Sequence, residues 1–198
     1  MILSAPKFCI AEENCLRWQV FQKRFSKLIV TPIFHNNRDL STVATQITKD
    51  NLDKDCFLIL EDDACAVNSD YIESLQEIEK QLLEINIHWD ILYLGAHLLG
   101  GCGEVLTKNI FQKTVPYCTQ AVLYRSSSYE TLLGLKSKNL NVNPHCWDLM
   151  ICDSNLVKLV VNPMIITQLD CCLPFDENVN VHRIMENSYE VVRNRLRL

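Results

Sequence analysis

Five consecutive apolar residues, Cys56-Phe-Leu-Ile-Leu60, run without a polar interruption. A strand with one wet face alternates polar and apolar side chains, so an unbroken run is the pattern of a strand buried on both faces. Such a strand needs helices above and below it, which points to an α/β fold. The flanking chain alternates accordingly. Lys7 to Ala11 reads as a first strand. Asn14 to Phe25 carries Leu16, Val20, Phe21 and Phe25 near helical spacing. Lys27 to Phe34 reads as a second strand and Leu40 to Ile47 as a short helix. Ser69 or Asp70 is placed to cap a helix whose apolar side is Ile72, Leu75, Ile78, Leu82 and Leu83. Asp90 to Gly95 and Gln120 to Tyr124 read as strands, with a helix from Ser126 through Leu135 after the second. Leu156 to Val161 is a late strand ended by Asn162-Pro163, and a final helix starts at about Ile184. Gly100, Gly101 and Gly103 form a cluster expected to be a flexible loop, a candidate lid.

The chain has 198 residues, 48% of them apolar. That suits one domain with a real core. The net charge is −5 and no long basic run occurs, which argues against nucleic acid as a partner. Arg193, Arg195 and Arg197 read as a solvated helix face. No secretory leader and no bilayer-length apolar run is visible, so the expected location is the cytoplasm. The ten cysteines include no Cys-x-x-Cys pair. Cys171 and Cys172 are adjacent, and His145, Cys146 and Cys152 match no common zinc spacing. Free buried thiols are expected.

The buried run ends in Glu61-Asp62-Asp63. In open α/β sheets ligands bind beyond the carboxyl ends of the strands. Three adjacent carboxylates repel one another, and a hard cation such as Mg²⁺ or Mn²⁺ offsets that repulsion with oxygen ligands. A metal–diphosphate site is one reading; an acidic solvated turn is the other. Two families place acidic residues after such a strand. Trp89-Asp90-Ile-Leu-Tyr-Leu-Gly95 resembles the phosphoacceptor strand of bacterial receiver domains, but Gly95 stands where the acceptor aspartate belongs.

The second resemblance covers roughly Lys7 to Asp170. Phe57-Leu-Ile-Leu-Glu61-Asp62-Asp63-Ala64, His88-Trp89-Asp90-Ile-Leu-Tyr-Leu-Gly95 and Thr119-Gln-Ala-Val-Leu-Tyr-Arg-Ser126 occur in that order. Asn143-Pro-His-Cys-Trp147-Asp148 and Val161-Asn-Pro163-Met-Ile-Ile-Thr-Gln168 follow them. Together these segments resemble glycosyltransferase family 25, the group with lipooligosaccharide and collagen sugar transferases. Two segments depart from the family pattern. Ser41-Thr-Val-Ala-Thr-Gln-Ile47 replaces a Gly-Cys-apolar-Ser-His helix, and Leu169-Asp-Cys-Cys172 replaces a serine-containing motif. They suggest a divergent viral or microbial member acting in a host cytoplasm.

The resemblance implies a GT-A-type α/β domain over 1–198, with a mostly parallel twisted sheet flanked by helices. Residues 1–95 would form the nucleotide-sugar and metal half, and 96–198 the acceptor side. The implied activity moves a hexose, galactose or glucose, from a nucleotide diphosphate sugar, UDP-linked in the family. The acceptor is a glycan or glycoprotein hydroxyl, and inversion of the sugar is expected. Mn²⁺ or Mg²⁺ is the implied cofactor, with Asp63 as first metal ligand and Glu61 beside it. Glu61, Asp62 and Arg17 are placed at the nucleotide, and Asp148 is the implied base. Trp147 beside it could stack on a sugar ring, although Asp148 also suits a helix N-terminus. Asp90 reads as structural. His145 and His182 are further candidates for the metal or the diphosphate. A catalytically inactive domain of the same fold that binds a ligand or partner is the alternative from another class.

Overall fold

The computed structural model describes residues 1–13, 15–35, 39–99, 103–113, 115–135, 146–168 and 181–196. Its first half runs β1 (Lys7–Ala11), α1 (Leu16–Arg24), β2 (Thr31–Phe34), α2 (Leu40–Asp50), β3 (Cys56–Glu61), β4 (Ala64–Ala66), α3 (Tyr71–Glu84) and β5 (Ile91–Tyr93). Four short strands follow: β6 (His97–Leu98), β7 (Glu104–Val105), β8 (Ile110–Gln112) and β9 (Pro116–Tyr117). Then come β10 (Ala121–Arg125), α4 (Tyr129–Gly134), α5 (Trp147–Cys152), β11 (Lys158–Val161), β12 (Ile166–Gln168) and α6 (Val181–Leu196).

Eight strands make one sheet in the order β2-β1-β3-β10-β5-β11-β8-β7. β1 pairs in parallel with β2 and β3, and β5 with β11. β10 and β8 run against the other six. The α/β expectation of a large, mostly parallel sheet flanked by helices therefore holds. Strands from both halves of the chain interleave in this one sheet.

The unbroken apolar run does what its pattern requires. Leu58 and Leu60 face a core built with Phe21 and Phe25 of α1 and Leu75 and Leu82 of α3. Phe57 and Ile59 face the opposite core, with Val43 and Ile47 of α2, Ile151 of α5 and Tyr189 of α6. All four strand residues are nearly or wholly buried. At about 25 cal/mol per Å² of apolar surface removed from water, these two cores dominate the stabilisation.

Several expectations change. The second strand starts at Thr31 rather than Lys27, because Leu28 N–H closes a turn onto Phe25 O at 2.9 Å and Ile29 is exposed. Asp70 takes the cap position of α3, but its side chain makes no capping hydrogen bond. A 3-10 turn at Ser126–Ser128 precedes α4, so that helix starts later than expected. The last helix starts at Val181, before Ile184. Short strands β4, β6, β7, β8, β9 and β12 were not expected; two or three residues are too few to show a period. Gly103 packs beside β8, where an added Cβ would lie 1.7 Å from Gln112 O, so it is not part of a loose loop. Gly100 and Gly101 lie outside the described residues, as do Cys171 and Cys172. The described cysteines are free, but only Cys9 and Cys56 are buried. Arg193 donates to Asn162 Oδ1 at 3.0 Å instead of standing on a solvated face. Arg197 and the side chain of Arg195 lie outside the described residues. No described helix is long and apolar enough to cross a membrane.

Two close approaches lock the sheet. Leu94 O accepts from both Ile165 N–H and Ile166 N–H, at 2.8 and 3.2 Å. At Gly95, a Cβ would sit 1.8 Å from Ile166 O. Asp90, just before β5, is 5% exposed. It accepts from Val157 N–H at 2.8 Å and Ser127 Oγ at 2.7 Å, and pairs with His88 Nε2 at 2.8 Å. Asp90 thus ties β5 to the turn before α4 and to the approach to β11. Its burial opposes ionisation, yet the hydrogen bonds outweigh burial and hold its carboxyl below the usual range. A lowered acid stabilises the fold above its unfolded pKa and loses that contribution as pH falls through the folded value. Asp90→Ala should cost about 2–4 kcal/mol at neutral pH in chemical denaturation. That difference should shrink below about pH 4.

Candidate functional site

The sheet delivers its carboxylates to one edge. β3 stays apolar through Leu60 and releases Glu61 at its end; the chain then turns through Asp62 and Asp63 before β4. The three acids separate in direction. Asp62 accepts from Glu12 N–H at 3.3 Å, just after β1, and lies 3.9 Å from the Arg17 guanidinium of α1. Asp63 accepts from Gln168 Nε2 at 2.7 Å, at the end of β12. Its other oxygen, Oδ1, is buried and has no hydrogen-bond partner among the described residues. Glu61 accepts from the Thr119 hydroxyl at 2.9 Å, and the same hydroxyl contacts Asp148 Oδ1. Asp148 reaches this place from the first turn of α5.

The structure therefore brings Glu61, Asp63 and Asp148 to one edge, with Arg17 and Asp62 alongside. Burial first, then the charges of Asp63 and Asp148, push Glu61 well above the ordinary carboxylate range. Burial likewise raises Asp63 and Asp148. Gln168 partly offsets the rise for Asp63, and Thr119 and the Cys118 N–H do so for Asp148. Burial also raises the Cys118 thiol to about 12, which keeps it protonated near neutral pH.

Two adjoining cavities share Glu61. One, of about 460 Å³, is lined by Asp148, Thr119, Tyr117, Cys118 and Gln168. The other, of about 210 Å³, is lined by Arg17, His35, Asp62 and Asp63. Cavities of this order suit small ligands.

Among the described residues no group of three or more His, Cys, Asp or Glu side chains is arranged to hold a metal by itself. A hard divalent cation that also binds a phosphate needs only one or two protein carboxylates, with waters for the rest. The buried, unpartnered Asp63 Oδ1 and the second oxygen of Glu61 fit that smaller demand.

Other residues singled out in the sequence stand differently. Trp147 is 3% exposed and donates its indole N–H to Tyr124 OH at 3.0 Å, so most of it belongs to the core, and it also borders the larger cavity. His145 and the side chain of His182 lie outside the described residues. Thr119 and Gln168, quoted from the sequence only as parts of motifs, turn out to be the side chains that hold the acids. Their signal was weak: a lone polar residue directly before or at the end of an apolar strand.

No protein-family profile and no curated protein matches the chain. Among solved structures, "A197 from STIV" is similar, with a TM-score of 0.54, 12% identity, and 83% of this chain and 85% of that one covered. This likeness is one of fold. The apo form of a UDP-glucose pyrophosphorylase is similar at a TM-score of 0.46 and 9% identity, over 94% of this chain and 72% of that one. That likeness is too loose to carry an argument.

Crowded acids store repulsion. An acid whose folded pKa is raised destabilises the fold as pH climbs from its unfolded value of about 4 through the raised one. Asp148→Asn should therefore raise the melting temperature of metal-free protein at pH 7 and leave it nearly unchanged at pH 4. Melting curves across that range check it.

Proposed function

We propose that the chain transfers a hexose from a nucleotide diphosphate sugar to a hydroxyl acceptor, as in the family it resembles. The carrying observation is the convergence of Glu61 and Asp63, from the end of β3 and its turn, with Asp148 of α5 at the edge of an α/β sheet where such folds bind ligands. Asp63 and Glu61 would hold Mn²⁺ or Mg²⁺. When bound, the cation offsets the charge gathering on the departing nucleoside diphosphate. Arg17 and Asp62 border the smaller cavity, and the resemblance assigns the nucleotide to their side of the site. Its uridine identity and the galactose or glucose it carries follow the family resemblance alone.

Asp148 faces the larger cavity, which suits the sugar and the acceptor, a glycan or glycoprotein. An acceptor hydroxyl forms a new bond to the anomeric carbon as the bond to the diphosphate breaks. Asp148 takes the hydroxyl proton, and direct displacement inverts the sugar. A raised pKa suits a base working near neutral pH.

Melting curves with UDP, GDP or CMP, each with and without Mn²⁺, test the reading. One nucleotide with metal should raise the melting temperature by about 5–10 °C at saturating concentration. Asp63→Ala should remove that shift. Asp148→Asn should keep the shift and lower transfer on the order of a hundredfold or more. If no nucleotide stabilises the chain with metal, the transferase reading fails; a shift without turnover favours the inactive, ligand-binding alternative.

A further inference from the structure

Cys118 has φ 73°, a left-handed backbone that a side-chain-bearing residue rarely adopts; it is the one such non-glycine residue among the described ones. It stands between β9 and β10, at the exit edge. Left-handed residues cost on the order of 1–3 kcal/mol and persist where the surroundings hold them. Asp148 lies beside this residue, close enough for its charge to help raise the Cys118 thiol. The next residue, Thr119, is 4% exposed and sets its hydroxyl between Glu61 Oε1 and Asp148 Oδ1. One side chain thus engages both acids.

We infer that Thr119, in the turn that leads into β10, is the positioning residue that fixes the Asp148 carboxylate beside Glu61 in the cleft. This inference rests on the proposed role of Asp148 and adds to it. Three elements meet through one hydroxyl: the end of β3, the start of β10 and the first turn of α5. α5 is only 6 residues long, and the chain immediately before it, 136–145, lies outside the described residues. The described hydrogen bond to the Asp148 side chain is that of Thr119. A hydroxyl carries a single proton, so Thr119 donates to one carboxyl at a time while keeping its oxygen against both. Its methyl group meanwhile fills buried space. Serine keeps the hydroxyl and loses the methyl group; valine keeps the shape and loses the hydroxyl.

That contrast supplies the test. In the full chain with ¹³C-labelled aspartate, the Asp148 side-chain carboxyl resonance is assigned by its loss in Asp148→Asn. Thr119→Val should move that resonance, and Thr119→Ser should restore it towards its wild-type position. Thr119→Ala serves the same purpose as valine if valine fails to fold. Loss of a hydrogen bond to a charged group should lower kcat for transfer on the order of ten- to a hundredfold in Thr119→Val. The KM for the nucleotide sugar should stay within about twofold, and serine should recover most of kcat. The positioning role is overturned if the Asp148 resonance is the same in wild type, valine and alanine variants, or if valine turns over as wild type does. If wild type shows no transfer at all, the transferase reading falls, and the resonance alone decides whether Thr119 holds Asp148.

Discussion

Burial of β3 on both faces is the constraint from which the site follows. A strand packed between two apolar cores can carry charge only at its ends, because an ion among Leu58, Ile59 and Leu60 would lose its hydration with nothing in return. Glu61 is the first position where the chain can place a carboxylate, and Asp62 and Asp63 follow within the turn. β10 is inserted antiparallel between β3 and β5, and its start lies against the end of β3, with Ala121 opposite Leu60. That register sets Thr119 beside Glu61. Reversal of this single strand brings a residue from the second half of the chain to an acid from the first.

The fold was largely legible because its signals are long. β1, β3, α2 and α3 announce themselves through runs or periods of five or more residues. Strands of two and three residues carry no period, and β4 and β12 pair between segments far apart in the sequence. The acids were legible as a group, since charge after an apolar run stands out. Their division of labour was not. Asp62 turns to Glu12 N–H and Arg17, Asp63 to Gln168, and Glu61 to Thr119. Those partners lie up to 105 residues away, and side-chain direction at a turn has no sequence period. Trp147 shows the same limit: its indole N–H turns inward to Tyr124 while the residue still borders the larger cavity, and neither is readable from its place beside Asp148.

The site also shows how support is shared between distant segments. Gln168 and Thr119 are uncharged, yet Gln168 holds one oxygen of Asp63, and Thr119 engages one oxygen each of Glu61 and Asp148. Neutral donors relieve repulsion without cancelling the negative potential that would attract a cation. The same edge would resist a bare anion, so Arg17 beside Asp62 is the described side chain best placed to lessen that resistance.

Gly95 had entered as an absence, the place where a receiver domain would carry its acceptor aspartate. The structure gives that position a different meaning. Ile166 O occupies the space in which any Cβ at 95 would stand, and the hydrogen bonds from Ile165 and Ile166 to Leu94 O keep it there. β12, and through it Gln168 and Asp63, depends on that vacancy. A mutation supplying an aspartate at 95 would dislodge the strand that orients Asp63 before it created a phosphoacceptor. A receiver-like acceptor at position 95 is thus closed to this fold, whatever the likeness of the two strands.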